Sequence, residues 1–344
     1  MWKTLFSFFS LFALIVEGEN SGSGLLRGGD SDDNDWPVFS SFLERFHKKY
    51  NSRYELEIRF DIFKQNFGAI LLHNIEFERG QQNFSMGINQ FTDLTAEEFK
   101  GVYVNGGKRL DFGSYGCKAF SSSALGAPDV VDWRTGGAVT SVKDQGQCGS
   151  CWSFSSTGAI EGAWAIRKGQ LLDFSEQQLV DCATGVAYGS HGCSGGQMDG
   201  GFKYVIEHGQ CLLSSYLYTA KDGSCQKCSP VAQLSSCSDV KVNDQVSLKG
   251  AVALQPVSVA IEADTRYFQS YSGGVLTSAS CGINLDHGVL VVGYGKENGI
   301  DYWLVKNSWS TSWGEDGYVK IARSDSTKDS GVCGIAMMAS FPTV

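Results

Sequence analysis

The chain has 344 residues, of which 42% are hydrophobic and 19% charged, so it can bury a sizeable core and exceeds the usual length of one domain. It has 42 Gly but only 5 Pro and no Gly-x-y period, which excludes collagen-like and disordered chains. A net charge of −9 at pH 7 argues against nucleic acid and anionic membranes as partners.

The N-terminus has the pattern of a secretory signal peptide. Lys3 precedes an apolar stretch at residues 5–16, which is too short to span a bilayer because a spanning helix needs about 20 residues. We expect residues 1–18 to be removed; the alternative is a buried N-terminal helix. No later segment predicts a membrane anchor. An odd count of 11 Cys in an oxidising compartment predicts disulfides with one or more thiols left over.

Composition divides the rest of the chain. Residues 19–35 are rich in Gly, Ser and Asp and read as a flexible lead-in, whereas residues 36–100 are rich in helix formers and charges. A Gly- and Ser-rich strip at 101–125 follows, and we expect this strip to be exposed and cleavable. The third unit, residues 126–344, is rich in Gly and Cys.

One stripe of mixed polarity marks the 36–100 block. Its members are spaced for a single face of a helix about five turns long, and they are Glu55, Arg59, Phe63, Asn66, Ile70 and Asn74. Alternation at 87–93 predicts a short strand. Thr95 followed by Glu98 predicts a helix start with a capping box. From the residues alone, an ordinary amphipathic helix is the simpler explanation of the stripe.

The segment at 145–154 carries the chemistry. It leads into an apolar periodic stretch at 159–166, so a helix should begin near Cys151. A thiol at a helix N-terminus meets free amides and the positive end of the helix dipole, which lower its pKa. The Cys151 backbone N–H can stabilise an oxyanion, and Gln145 can bring a second donor.

A partner for this thiol lies far downstream. His287 stands at the head of an apolar strand, and Asn307 stands at the end of another. A catalytic base needs its second ring nitrogen held by a third group, which Asn307 can supply. Trp309 is placed to cover the His–Asn contact from water.

Two CxxC pairs suggest a different chemistry, namely zinc or thioredoxin-type redox sites. They are Cys148/Cys151 and Cys225/Cys228. The secretory signal and the missing βαβ context disfavour both, so we expect neither metal nor cofactor.

Residues 127–344 resemble the papain family of cysteine peptidases from end to end. The matching segments are Asp132-Trp133, Gln145 to Phe154, Gly192 to Gly196, Asp286-His287, Asn307 to Trp309 and Gly331 to Gly334. The stripe at 55–74 is similar to that family's ERFNIN pro-segment signature, and 87–93 to its GxNxFxD companion. The block therefore resembles an inhibitory propeptide of the cathepsin L-like subfamily. The segment 195–199 supports that subfamily, and the lack of a long cathepsin B-type insertion favours an endopeptidase.

The resemblance implies an α+β fold of two lobes, one helical and one an antiparallel β-barrel-like lobe, preceded by a helical propeptide. It implies that Cys151 is the nucleophile, His287 its acid/base partner and Asn307 the group that orients the imidazole. Gln145 and the Cys151 amide would form the oxyanion hole. The reaction would be a two-step acyl transfer with peptide hydrolysis.

Substrate positions also follow from the resemblance. The side chain two residues before the cut, P2, would enter a pocket formed by Met198, Ala260, Leu285, Gly288 and Met338. None of these is charged, so apolar P2 side chains should be preferred. Gly195 and Gly196 would leave room for the substrate backbone, and Trp309 would line the site.

The resemblance implies three disulfides, Cys148–Cys193, Cys182–Cys225 and Cys281–Cys333, with Cys151 outside them. Cys117 falls in the strip and would be lost on maturation. One further bridge is expected among Cys211, Cys228 and Cys237. We favour Cys211–Cys228, which leaves one thiol over, although spacing cannot fix the pairing.

The expected partners are protein and peptide substrates, the chain's own propeptide as inhibitor, and cystatin-like inhibitors of a monomeric enzyme. Its destination stays open between an acidic lysosome- or vacuole-like compartment and secretion. Two alternatives are weighed. A non-enzymatic relative would have lost Cys151, His287 or Gln145. A transpeptidase or ligase would use the same acyl-enzyme, and the residues do not separate it from a hydrolase.

Overall fold

The computed structural model describes residues 35–104, 115–277 and 280–344. The predicted signal peptide and nearly all of the 19–35 lead-in lie outside these residues. Before residue 126 the described chain forms five elements: α1 (Trp36–Arg45), α2 (Arg53–Glu78), β1 (Phe84–Met86), α3 (Ala96–Tyr103) and β2 (Lys118–Phe120).

The mixed stripe of α2 is explained by what it faces. Its polar members bind the backbone at the end of β1 and beyond it: Asn74 exchanges two hydrogen bonds with the backbone of Met86, and Asn66 Nδ2 donates to the carbonyl of Thr92 at 2.8 Å. Its apolar members pack inward, and the Phe63 ring lies 5.1 Å from that of Phe39. One helix face therefore both builds a small core and holds an extended segment in place.

The strand predicted at 87–93 is wrong. The strand of this region is β1; residues 87–89 have no regular structure and residues 90–93 form a turn. Asn89 and Thr92 cause the difference, because the Asn89 side chain accepts from the Phe91 amide at 2.9 Å and Thr92 Oγ1 accepts from the Asn89 amide at 3.0 Å. Short polar side chains that bond nearby backbone in this way compete with strand pairing.

The helix start predicted at Thr95 is confirmed. Thr95 Oγ1 accepts from the Glu98 amide at 3.2 Å, and Glu98 Oε2 accepts from the Thr95 amide at 2.9 Å. This capping box satisfies two donors at the beginning of α3.

A helical lobe opens the peptidase unit. It contains α4 (Cys151–Lys168), α5 (Glu176–Cys182), α6 (Met198–His208) and short 3₁₀ turns at Gly192–Ser194 and Leu213–Ser215. Two glycines let α4 approach the other lobe, because a Cβ at Gly158 would lie 2.8 Å from Leu290 Cδ2 and one at Gly162 would lie 2.6 Å from Pro256 Cγ. The helix that begins at Cys151 is thus fixed directly against the β lobe.

The β lobe supplies most strands of the sheet. Its elements are β3 (Val131–Asp132), β4 (Ser236–Val240), α7 (Gln245–Val252), β5 (Val257–Ile261), α8 (Arg266–Gln269), β6 (Tyr271–Leu276), β7 (His287–Glu297), β8 (Ile300–Lys306), β9 (Tyr318–Ala322), a 3₁₀ turn at Val332–Gly334 and β10 (Ala339–Thr343). Within the described ranges the strand order is β1-β6-β9-β8-β7-β5-β10-β4-β2, with β3 on β7. The two outermost strands, β1 and β2, therefore come from the part of the chain ahead of the peptidase unit.

The sheet is mainly antiparallel, and two of its pairs, β6 with β9 and β2 with β4, run parallel. Its core also takes in the propeptide. Phe91 and Phe99, both buried, belong to the same apolar cluster as Trp309 and Val291.

All eleven cysteines lie within the described residues, and ten form disulfides. The three pairs implied by the resemblance are present, as is Cys211–Cys228. The expected leftover thiol is wrong, because Cys237 is joined to Cys117. Parallel pairing of β2 with β4 brings these two Cα atoms within 4.6 Å. Cys151 alone keeps a thiol.

Candidate active site

Cys151 is the first residue of α4 and is buried. Its Sγ accepts from the backbone N–H of Gly288 at 3.4 Å. This contact joins the start of the helix to the second residue of β7. The 18-residue helix directs its N-terminal dipole at this sulfur, where it favours a thiolate.

His287 begins β7, opposite the end of β8. The register that pairs Leu290 with Lys306 extends to bring His287 beside Asn307 and Trp309. His287 Nε2 lies 2.8 Å from Asn307 Oδ1, and the Trp309 ring stacks on the imidazole with centroids 4.5 Å apart. The cover predicted for Trp309 is therefore present.

The other imidazole nitrogen stays available for proton transfer. His287 Nδ1 is buried and has no hydrogen-bond partner among the described residues. Burial lowers the pKa of His287 to about 4, against the opposing effect of the Asn307 hydrogen bond. In this structure, burial thus favours the neutral imidazole over a thiolate–imidazolium pair with Cys151.

Gln145 is held on several sides. Its Oε1 accepts from Ser308 Oγ at 2.7 Å, its backbone N–H donates to the Ser308 carbonyl at 2.9 Å, and its carbonyl accepts from Tyr218 OH at 2.7 Å. These bonds fix the amide so that Nε2 donates to the carbonyls of Cys148 at 2.9 Å and Tyr103 at 3.2 Å. An amide fixed in this way is a preorganised donor to a carbonyl oxygen.

The donor is occupied by the propeptide. Tyr103 ends α3, and its carbonyl accepts from Gln145 Nε2 at 3.2 Å. The Phe91 and Phe99 rings lie edge-on to Trp309 at 5.4 and 5.2 Å. Gln90 Nε2 donates to the Trp309 carbonyl at 2.6 Å. The propeptide therefore covers the Trp309 side of the site.

The residues predicted for the P2 pocket come together. Ala260 pairs with Gly288 across β5 and β7, and its N–H donates to the Met338 carbonyl at 2.9 Å. A Cβ at Gly288 would lie 3.2 Å from Met198 Sδ. Leu285 belongs to the same apolar cluster as Met198 and Ala260, with Met338 packed against it.

Two glycines, Gly195 and Gly196, lie just before Met198, and the local backbone requires each of them for a different reason. Gly195 has φ +100°, a conformation that side-chain-bearing residues rarely adopt. A Cβ at Gly196 would lie 2.5 Å from the Trp152 ring and 2.8 Å from Ser190 Cβ. Gly196 therefore lets the chain lie flat against Trp152.

Sequence reasoning missed a buried charge cluster beneath the site. Lys143 Nζ contacts Glu161 at 2.9 Å and Glu176 at 2.6 Å, and Lys306 Nζ donates to Thr140 Oγ1 at 3.0 Å. A cavity of about 20 Å³ among these residues also touches Asn307 and Ser308. The available signal was Glu161, a carboxylate inside an otherwise apolar helical run. The cluster ties the helical lobe to β8, which ends at Lys306, one residue before Asn307.

The family matches agree with this geometry. A profile described as "Papain family cysteine protease" matches residues 127–343, and one described as "Cathepsin propeptide inhibitor domain (I29)" matches residues 39–99. "Probable cysteine protease RD21C" of Arabidopsis thaliana is 45% identical over 312 residues, covering 89% of this chain and 67% of that one. "Cathepsin L" of Sarcophaga peregrina is 45% identical over 310 residues, covering 86% and 89%.

Solved structures give the same result. The digestive procathepsin L 3 of Tenebrio molitor larval midgut superimposes with a TM-score of 0.82 at 42% identity, covering 91% of this chain and all of that one. The predicted papain-like α+β fold is confirmed. Among the described residues, no helix combines the length and apolar character that a membrane span requires. The chain belongs to the papain family of cysteine peptidases and carries a cathepsin-type propeptide inhibitor domain ahead of its peptidase unit.

Proposed function

We propose that this zymogen matures into an endopeptidase in which Cys151 attacks the peptide carbonyl and His287 moves the protons. The observation that carries the proposal is the Cys151 sulfur at the start of α4 together with an imidazole whose Nε2 is engaged by Asn307 and whose Nδ1 has no partner among the described residues. Burial lowers the pKa of His287, and we propose that opening the cleft to water raises this pKa, so that the thiolate–imidazolium pair becomes accessible.

The reaction then takes two steps. The Cys151 thiolate adds to the carbonyl, with the oxyanion held by Gln145 Nε2 and the Cys151 backbone N–H. The imidazolium of His287 gives its proton to the leaving amine, and an acyl-enzyme remains. Neutral His287 then takes a proton from water, which attacks the thioester and releases the acid.

We propose substrate selection by the apolar cluster at Met198, Ala260, Leu285, Gly288 and Met338. Each buried CH₂ gains about 0.8 kcal/mol in such a pocket, whereas a buried charge without a partner is strongly disfavoured. Met side chains adapt to both branched and aromatic partners. Gly195, Gly196 and Trp309 line the approach of the substrate backbone in this proposal.

The mature enzyme is expected to hydrolyse dipeptide amides with Leu or Phe at P2 at least about 10-fold faster, in kcat/KM, than the Arg analogue. Met338→Glu should raise the Arg rate because it adds a counter-charge, whereas Met338→Gln, of the same shape but uncharged, should not. A higher kcat/KM for Arg in the wild type would overturn the pocket assignment.

The acyl-enzyme can in principle be attacked by an amine instead of water. The products formed in the presence of an added amine measure how far the amine replaces water as acceptor.

We propose that the propeptide ends at residue 125 and that maturation cuts the chain between Ser121 and Ala127. Support comes from exposure, since Leu125 is 95% exposed. Acid would open the precursor through carboxylates that hold the propeptide together. Asp93 accepts from Lys48 Nζ at 2.8 Å and from Tyr50 OH at 2.7 Å, so this carboxylate joins the segment before α2 to the turn before α3.

The proposed loosening of the propeptide at acidic pH can be tested at Glu98. Its hydrogen bond with Arg59 lowers the pKa of Glu98 below the ordinary value of 4.5. The pair therefore stabilises the propeptide fully at pH values above 4.5, and this stabilisation is lost as the pH falls through the lowered pKa. Such partly exposed pairs are worth about 0.2–1 kcal/mol. Glu98→Gln keeps the capping box, and we expect processing at pH 5 to become about 1.5- to 5-fold faster.

The matched control is Glu97→Gln, because Glu97 is the exposed neighbour of Glu98 on the same helix turn. Its processing rate should equal that of the wild type. Equal rates for all three chains across pH 4–7 would contradict the assigned role of the Arg59–Glu98 pair.

We propose an acidic destination within the secretory pathway, to which cathepsin L-like proteases belong. Burial raises the pKa of Asp199 to about 7 and that of Asp286 to about 8. Between about pH 4 and these raised pKa values, the two carboxyl groups therefore stay protonated in the folded chain but are ionised in the unfolded chain. Because the folded state binds more protons, its stability falls as the pH rises through this range. We further propose that the enzyme is a monomer and is open to cystatin-like inhibitors.

The stability change can be measured with urea. For the precursor with Cys151→Ala, which prevents self-cutting, the free energy of unfolding should be lower at pH 8 than at pH 5 by a few kcal/mol, because each retained proton contributes about 1.4 kcal/mol per pH unit. Asp199→Asn should reduce this slope to the part that Asp286 contributes, and Asp129→Asn, at an exposed site, should leave it intact. A slope that Asp199→Asn does not change would remove Asp199 as its source.

A further inference from the structure

One disulfide crosses the boundary between the propeptide and the peptidase unit. Cys117 precedes the proposed cut, whereas Cys237 lies in β4. The other four disulfides join cysteines that all follow residue 127. A single cut between residues 121 and 127 therefore leaves two chains that are still covalently joined.

The residues next to Cys117 are built into the sheet as well. Lys118, Ala119 and Phe120 pair in parallel register with Ser238, Asp239 and Val240. The Lys241 N–H donates to the carbonyl of Phe120 at 2.9 Å. The Phe120 ring lies edge-on to that of Phe341 at 5.1 Å. The segment behaves as an edge strand of the peptidase unit, although it belongs to the propeptide.

Hydrogen bonds continue up to the exposed part of the strip. The Ser122 N–H donates to Ser247 Oγ at 3.1 Å, and this hydroxyl donates to the Ser122 carbonyl at 3.2 Å. Beyond Ser122, Leu125 and Gly126 are exposed. The chain is thus held up to Ser122 and open to a protease just after it.

We propose that proteolysis alone does not free the propeptide: the first product is a two-chain protein joined through Cys117–Cys237, and separation requires a thiol reductant. This inference rests on the proposed cut position after Cys117. Reduction of this disulfide is then a second requirement for maturation. Until it occurs, the tether keeps the inhibitory part near the cleft at the millimolar effective concentration typical of short linkers.

The release step is thiol–disulfide exchange. A small-molecule thiolate attacks Cys117 Sγ, which is partly exposed, whereas Cys237 is buried. The Sγ–Sγ bond breaks, Cys237 leaves as a thiolate and takes up a proton, and a mixed disulfide remains on Cys117. A second thiolate displaces Cys117 from this mixed disulfide. In total, two small-molecule thiols become one disulfide, and both protein cysteines become thiols.

The test uses the full-length precursor with Cys151→Ala, cut in trans by an elastase-type protease that accepts small side chains such as Ala124. N-terminal sequencing establishes the cut. We expect one species of undiminished mass under denaturing, non-reducing conditions and two chains after dithiothreitol. The same precursor with Cys117→Ser and Cys237→Ser should give two chains without reductant. A matched chain with Cys211→Ser and Cys228→Ser should remain joined.

Two separate chains from the cut Cys151→Ala precursor without reductant would overturn the proposal. If the double-serine chain does not fold, peptide mapping of the uncut precursor decides the question, since a non-reduced Cys117–Cys237 peptide pair is required. Because an unrelated protease makes the cut in a chain that lacks the Cys151 thiol, the result does not depend on this chain's own peptidase activity. A failure of the proposed catalytic roles would appear only in substrate assays.

Discussion

Cys151→Ala is expected to lower kcat/KM for peptide amides about 10⁶-fold, the scale found when the nucleophile of a catalytic triad is removed. Alanine has no sulfur to form the acyl bond, while the donors at Gln145 and the rest of the cleft remain. The measurement is hydrolysis of a Leu-P2 amide by chains separated from their propeptides by added protease and thiol. The same substitution should give a precursor that stays at full length in acid.

The control for folding is the urea unfolding midpoint, which should match that of the wild-type precursor at neutral pH, where self-cutting is slow. Self-trimming of the Cys151→Ala precursor at pH 4–5 without added protease would show that another group performs the cut. Residual hydrolysis close to the wild-type rate would rule out Cys151 as the nucleophile.

Gln145→Ala is expected to lower kcat about 10²- to 10³-fold with little change in KM, because one oxyanion donor is lost in the transition state. Ser308 Oγ donates to Gln145 Oε1 at 2.7 Å, which fixes the amide whose Nε2 the variant removes. Steady-state kinetics of the mature enzyme on one substrate separates kcat from KM.

The matched control is Gln147→Ala, at an exposed glutamine two residues further along the same loop. This variant should keep the wild-type kcat. A Gln145→Ala enzyme with normal kcat but raised KM would indicate a role in ground-state binding, and the oxyanion assignment would fail.

The sequence predicted local structure well: a helix begins at Cys151 and a strand begins at His287, as the patterns indicated. The Gly-rich turn before Cys151 and the strands around His287 and Asn307 each carry a local signal, and the family motifs link them. The sequence did not predict contacts that depend on packing between segments far apart in the chain. Glu161 belongs to a charge cluster assembled from several elements, and the partner of Cys117 is set by a parallel strand pair 120 residues apart in sequence. No local spacing encodes either contact.

The two ends of the sheet are held differently once the precursor is cut. β1 contacts β6 through noncovalent pairing, whereas β2 is also joined to β4 through the Cys117–Cys237 bridge. When β1 separates from β6, the backbone of β6 is uncovered, and a bare strand edge invites pairing with other molecules. The opposite edge keeps β2 for as long as the cysteine bridge lasts. The number of uncovered sheet edges therefore depends on the redox state of Cys117.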